Sequence, residues 1–272
     1  MRLLLIRHGE SVDNVAGLYA GSRDSSLTNH GVLQTKRLGA HIAKRQTVIG
    51  PIRFVFASNL QRAYRTAEAI AEACKPQSQG RDSDSSPTLA VIRVPELREK
   101  DFGLSEGKKF GIRESHDGSE SPESMRLRID QFLDSHLRPI VDQSTAENAV
   151  VVIVAHGIIL NVILKALLSR YPQKPQLTQW IGDHPGLEYL AAWSNTGVLQ
   201  AHLELEDDAP SQLPSTRPIY MTVEFTNNVD HLQGLKKTRG GIGSAKFDSR
   251  QRTMDSFFTL NSKKRKLDDT KD

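Results

Sequence analysis

Cysteine is almost missing from this chain: Cys74 stands alone among 272 residues. One thiol forms no intramolecular disulfide, and it excludes a four-cysteine zinc site. The reducing cytosol or nucleus suits such a chain; a stapled secreted scaffold does not. Long apolar runs are missing as well. The N-terminus reads Met-Arg-Leu-Leu-Leu-Ile before meeting Arg7 and His8, too short for the core of a signal peptide. The longest apolar stretch, residues 149–168, is interrupted by His156, Gly157, Asn161 and Lys165. A buried strand, a turn and a helix explain it better than a membrane span. A soluble protein with no membrane partner is expected.

What is present suffices for a core. With 38% hydrophobic residues, wholesale disorder is excluded. The length predicts one large domain, or one domain with an appendage. Charge is uneven. Residues 236–272 hold 11 Lys/Arg and 5 Asp, which leaves 25 basic and 27 acidic residues in 1–235. The net positive charge therefore belongs to the tail. That shift predicts a boundary, with a folded body over 1–235 and a basic tail over 236–272. It also argues against a body that binds nucleic acid directly.

Along the body, strand-like and helix-like segments alternate. Residues 3–6 form a continuous apolar run, as in a strand covered on both faces. A polar loop follows to Asn29, where Thr28 or Asn29 can cap a helix to Lys44 with Val32, Leu33, Leu38 and Ile42 as its apolar members. Residues 52–56 read as a strand. Leu60, Tyr64, Ala67, Ile70, Ala71 and Cys74 recur every three or four positions and define one helix face. Residues 77–87 form a polar insertion, expected as a mobile surface loop, and 89–94 a short strand. A helix starting near residues 121–123 carries Met125, Ile129, Phe132 and Leu133. Residues 149–155 are the strongest strand and 158–168 an apolar helix. Three later strands are expected over 186–193, 198–205 and 218–225. This alternation predicts an α/β protein, a three-layer α/β/α sandwich around a mostly parallel sheet. Strand order does not follow from the pattern. Past Leu235 little remains to bury, and a disordered tail is expected.

In open α/β sheets, sites form at the carboxyl ends of strands. His8 follows the first strand and His156 the most apolar one, each with glycine after it, which lets a backbone approach a ligand closely. With Arg7 and Arg62 they would make a cationic pocket suited to a phosphoryl group, because arginine offers planar, permanently charged donors. The other histidines, His30, His41, His184, His202 and His231, read as solvent or packing residues.

Here a resemblance becomes specific. Leu5-Ile6-Arg7-His8-Gly9-Glu10-Ser11, then Asn14, Gly21 and Leu27-Thr28 with Gly31 and Gln34, resembles the histidine phosphatase (phosphoglycerate mutase-like) superfamily. Residues 58–63 with Thr66-Ala67 are similar to its second motif. Residues 97–103, with Glu106-Gly107, resemble its acid loop, and Val154-Ala155-His156-Gly157 its last motif. The resemblance implies His8 as a nucleophile that carries the phosphoryl group. It implies Arg7, Arg62 and His156 as stabilisers of the transferring charge, Glu99 as proton donor and acceptor, and Asn14 as a further donor to the phosphate. Glu96 and Glu106 are the competing carboxylates. No metal and no cofactor are called for. Residues 108–122 lack the longer arginine- and proline-rich segment of the mutases, so hydrolysis of phosphate monoesters is expected ahead of transfer between glycerate positions. The substrate, a phosphorylated small molecule or protein, is left open.

The tail holds two more patterns. Gln251-Arg252-Thr253-Met254-Asp255-Ser256-Phe257-Phe258 resembles the PIP box, the binding motif for the sliding clamp PCNA. A 3₁₀ turn would group Met254, Phe257 and Phe258 as a plug, while Gln251 fills its own pocket. Folding back onto the body is the alternative for these side chains. Lys263, Lys264, Arg265 and Lys266 read as a nuclear localisation signal for an import receptor, or else as a solvated basic run. Nuclear residence is expected, with a cytoplasmic pool allowed. A non-catalytic module recruited to the clamp is the rival to the enzyme.

Overall fold

The computed structural model describes residues 1–75, 89–111, 118–144, 149–173, 191–205, 218–237 and 241–249. Its centre is a six-stranded sheet. In chain order the strands are β1 (Arg2–Arg7), β2 (Ile52–Ser58), β3 (Val91–Val94), β4 (Val150–Ala155), β5 (Val198–Leu205) and β6 (Ile219–Asn228). In space they run β3-β2-β4-β1-β5-β6. The first four pair in parallel, and β5 runs antiparallel to both β1 and β6.

The sandwich follows from side-chain alternation. Successive residues of a strand face opposite sides, so a strand apolar at every position needs cover on both. All six residues of β4 are buried. Leu3 and Leu5 of β1, with Val151 and Ile153 of β4, face one core; Leu4 and Ile6, with Val152 and Val154, face the other. Helices α2 (Asn29–Ile49) and α3 (Gln61–Ala73) close the second core. Helices α4 (Pro122–Phe132) and α6 (Gly157–Arg170) close the first, and α5 (Arg138–Ser144) continues from α4 through a π-helical turn. Short α1 (Val12–Ala16) follows β1. The expected three-layer architecture is the observed one. No described helix is long and apolar enough to cross a membrane.

Local signals set several boundaries. Thr28 caps α2, its hydroxyl accepting from Gly31 N at 2.9 Å. Ser121 caps α4 ahead of Pro122, whose missing N–H costs nothing at a first turn. Helix α2 runs five residues past the expected Lys44 and buries Gln34, Thr35, Leu38, Gly39 and Ile42, while Leu33 faces solvent. Small and polar residues, invisible to a hydrophobic count, let α2 approach its neighbours. The expected strand over 186–193 is not seen in its described part, since 191–193 are irregular. The rest of it, the 77–87 insertion, His184 and residues 112–117 lie outside the described residues.

The described residues continue into the stretch assigned to the tail, over 236–237 and 241–249. Lys237 Nζ reaches both carboxylate oxygens of Glu10, at 3.0 and 2.9 Å. Residues 242–247 then run along the 27–29 loop: Asn29 N donates to Ala245 O, Phe247 N to Leu27 O, and Lys246 bridges with Thr28. Burial does not hold this segment; backbone hydrogen bonds do, and composition gave no sign of them. Gln251, Met254, Phe257, Phe258, Lys263, Lys264, Arg265 and Lys266 lie outside the described residues.

Helices α2 and α3 meet through Gly39, where a Cβ would lie 2.5 Å from Ala69 O and 3.1 Å from Ala73 Cβ. Gly39→Val is therefore expected to cost about 2 kcal/mol by overpacking, read as a lower urea midpoint at unchanged m-value.

Candidate active site

The sheet itself assembles the site. In the β1–β4 ladder Arg7 lies opposite Ala155, so the next residues, His8 and His156, emerge side by side at the carboxyl edge. Their ring centroids are 5.0 Å apart, with planes inclined at 59°. His8 N donates to Ala155 O at 3.0 Å, which extends the ladder to the histidine. Strand β2, on the other side of β4, ends three residues before Gln61, and Arg62 projects from the first turn of α3. Glu99 enters from the loop after β3, and Asn14 from α1. Five of these side chains, Arg7, His8, Asn14, Arg62 and Glu99, line part of a cavity of about 390 Å³, and the buried His156 ring packs against His8. Every residue proposed from sequence for catalysis or phosphate binding is thus brought together.

Hydrogen bonds fix the state of each imidazole. His8 Nδ1 lies 2.7 Å from Gly9 O. A carbonyl only accepts, so Nδ1 carries the hydrogen and Nε2 keeps its lone pair. His156 has the opposite tautomer. Arg62 Nε donates to His156 Nδ1 at 3.2 Å, which puts the ring hydrogen on Nε2, an atom with no partner within the protein. Burial, reinforced by the Arg62 and Arg7 guanidinium groups, holds His8 well below its ordinary value of 6.5. Burial, then Arg62, His8 and Arg7, does the same to His156. Both rings are neutral at physiological pH.

The arginines are held differently. Arg62 is 1% exposed. Its terminal nitrogens donate to Arg23 O at 2.6 Å and Gly21 O at 2.8 Å. Burial lowers it to about 10, with Glu99 foremost among the carboxylates opposing that, so it stays cationic. Arg7 donates to Trp193 O at 2.5 Å and leaves Nε without a partner. Two buried donors beside the cavity, Arg7 Nε and His156 Nε2, have no partner within the protein. A buried donor left unpaired costs free energy, and a phosphoryl group is an acceptor that satisfies both.

Glu99 is the carboxylate that reaches the cavity. Its oxygens accept from Ile158 N at 3.2 Å and Ile159 N at 3.1 Å, at the amino end of α6, and from Lys100 N at 3.0 Å. Glu106 instead pins the Gly21 turn, accepting from Ser22 N, Ser22 Oγ and Phe102 N. Gly21 sits at φ 43°, and a Cβ there would strike Glu106. That contact explains the glycine and removes Glu106 as a competitor. Asn14 Oδ1 accepts from Ser11 N and from Asn195 Nδ2, at 3.2 and 3.1 Å, which leaves Nδ2 for the cavity.

Several supporting residues escaped the sequence reading. Asn195 Nδ2 also donates to His8 O at 3.1 Å, and Thr196 N to Arg7 O and His8 O. Thr196 adopts φ 60°, uncommon for a β-branched residue, and is held by His231 at 2.8 Å. Thr66 Oγ1 accepts from Gly9 N at 3.0 Å. The polar Ser194–Gly197 turn ahead of an expected strand was the available signal, but its contact with β1 depends on antiparallel pairing that no local pattern encodes. His231 and His41 lie with ring centroids 5.8 Å apart, as packing residues. Among the described residues no group of His, Cys, Asp or Glu could hold a metal ion.

Comparison with known proteins agrees with this geometry. Residues 3–201 match the model of the histidine phosphatase superfamily (branch 1). A Schizosaccharomyces pombe protein named as a probable phosphatase is 28% identical over 264 residues, covering 93% of this chain and 78% of that protein. An Erwinia tasmaniensis protein named as a probable phosphoglycerate mutase is 31% identical over 186 residues, covering 62% and 75%. Among solved structures, a mycobacterial glucosyl-3-phosphoglycerate phosphatase in complex with VO3 superposes with a TM-score of 0.57. It is 23% identical, over 83% of this chain and 98% of that one.

The neutral imidazoles link stability to pH. An unfolded chain protonates its histidines near pH 6.5, whereas His8 and His156 resist protonation in the folded state. The unfolded state therefore binds more protons below that pH, and stability falls as the solution is acidified through it. The urea midpoint is expected to be lower at pH 5.5 than at pH 7.5, with a smaller drop in His156→Gln.

Proposed function

Because the chain belongs to the histidine phosphatase superfamily, we propose that it hydrolyses phosphate monoesters through a phosphohistidine formed on His8. One observation carries this reading: a neutral His8 with Nδ1 tied to Gly9 O adjoins the unpartnered donors Arg7 Nε and His156 Nε2. The anion those donors require is the group that His8 Nε2 is free to attack. Nε2 forms a bond to phosphorus as the bond to the ester oxygen breaks. Arg7, Arg62, His156 Nε2–H and Asn14 Nδ2 balance the charge on the transferring oxygens. Three of the five N–H bonds of Arg62 are committed within the protein. It therefore acts as a fixed charge and as the group that sets the His156 tautomer, with two N–H bonds left for the ligand.

Glu99 gives a proton to the departing oxygen. Water then attacks phosphorus while its proton passes to Glu99, the P–N bond breaks, and inorganic phosphate leaves a neutral His8. The fixed positive charges do what a divalent ion would otherwise do, so no step needs a metal. Hydrolysis is favoured over mutase chemistry by the composition of residues 108–122.

The proposal extends to the tail. Residues 251–258 would engage the sliding clamp PCNA and residues 263–266 an import receptor, giving a nuclear phosphatase tethered at replication sites. The spacing of Gln251, Met254, Phe257 and Phe258 supports this, and it is compatible with catalysis.

His8→Ala is expected to abolish turnover of p-nitrophenyl phosphate, by at least about 10³-fold, and to remove the acid-labile label left by ³²P-substrate. Glu99→Gln should accumulate that label, because nitrophenolate leaves without a proton while water still needs a base. Turnover that survives His8→Ala would discard the nucleophile. A peptide of residues 250–262 is expected to bind PCNA in the micromolar range by calorimetry, and Phe257→Ala with Phe258→Ala to abolish binding. No binding at high micromolar peptide would discard the clamp motif.

A further inference from the structure

The cationic side chains of the described lining sit beside the two imidazoles. Arg7 and Arg62 are the only lysine or arginine side chains among its described lining residues. Both are engaged close to the two imidazoles, Arg62 by its bond to His156 and Arg7 by its bond to Trp193 O. Above them the wall is apolar. Tyr19 packs between Phe102 and Phe110, with ring centroids 4.7 and 4.9 Å away. Leu18, Ala20 and Ile158 continue the lining. Phe110 is 58% exposed and Ile158 37% exposed, large apolar side chains at a polar site. The other acidic or basic side chain in the lining is Glu99.

We infer that the site selects monophosphates whose alcohol is apolar or aromatic and carries no second anionic group; the inference rests on the phosphatase reading above. The physical argument is one of charge and area. A phosphate dianion takes up the two guanidinium charges. A second phosphate or carboxylate on the same substrate would meet an aromatic wall, where the described lining offers no further Lys or Arg to pair it, and burying an unpaired charge is costly. A flat apolar group instead covers the Tyr19 and Phe110 rings, which gains area burial and ring contact. Asn161 adds one neutral contact. Its Oδ1 accepts from Ala191 N and Trp193 Nε1, at 2.9 and 3.0 Å, so the amide flip is fixed and Nδ2 is the end left to donate to an uncharged acceptor on the substrate.

The test compares benzyl phosphate with 3-phosphoglycerate on the full chain. Both are alkyl esters whose oxygen leaves as an alcohol once protonated, so the difference reads recognition rather than leaving-group acidity. The expected ratio of kcat/KM favours benzyl phosphate by about 30-fold, the scale of burying one ring. Phe110→Ser is expected to narrow that ratio about tenfold. Equal or faster turnover of 3-phosphoglycerate, or a ratio that Phe110→Ser leaves unchanged, would overturn the inference while leaving a working phosphatase. Turnover of neither ester, with no label on His8, would overturn the phosphatase reading and the inference with it.

Discussion

Positive charge gathered among buried side chains is the constraint around which this molecule is arranged. Two guanidinium groups and two imidazoles converge at the sheet edge with one carboxylate among them. Left unmanaged, such a cluster would repel itself or drive its members to the surface. Here Arg62 is bound by two backbone carbonyls, and the imidazoles shed their charge. The carbonyls of Gly21 and Arg23 belong to a turn that Glu106 holds in place. The acid loop, the Gly21 turn and the first turn of α3 are thereby one unit. Loss of any of the three would release the others.

That unit is mounted on a rigid support. Strands β4 and β1 are buried on both faces, and the register between them decides which residues leave the sheet together. Slipping one residue would turn alternate side chains to the opposite core, so packing of both layers fixes the register. The catalytic geometry is inherited from hydrophobic sorting along residues 2–7 and 150–155, without a separate device to align the histidines.

Much of this could be read along the chain because it is local. Residues 150–155 are apolar at every position, and the α3 face repeats every three or four residues. The turn of glycine after each histidine marks a strand end. The signals that failed are those in which one segment acts on a distant one. Asn195 supports His8 only because β5 pairs antiparallel with β1, and strand order is set by the packing of whole layers. Leu33 looked like a core residue by composition, but Gly39 and Thr35 set the close face of α2. Glu99 and Glu106 lie seven residues apart in similar settings, and only their partners separate the carboxylate that lines the cavity from the one that clasps the Gly21 turn. The anchored start of the tail has the same origin: its hydrogen bonds are to backbone, and backbone has no letter in a sequence.

That anchored segment also limits reach. Phe247 is fastened to Leu27, and Gln251 follows four residues later. Four residues of extended chain span about 14 Å. Any partner that grips the chain at Gln251 would therefore lie within about 14 Å of Phe247 along the chain. The length of leash suggested by counting from residue 236 is therefore an overestimate: free reach toward Gln251 begins only after Phe247.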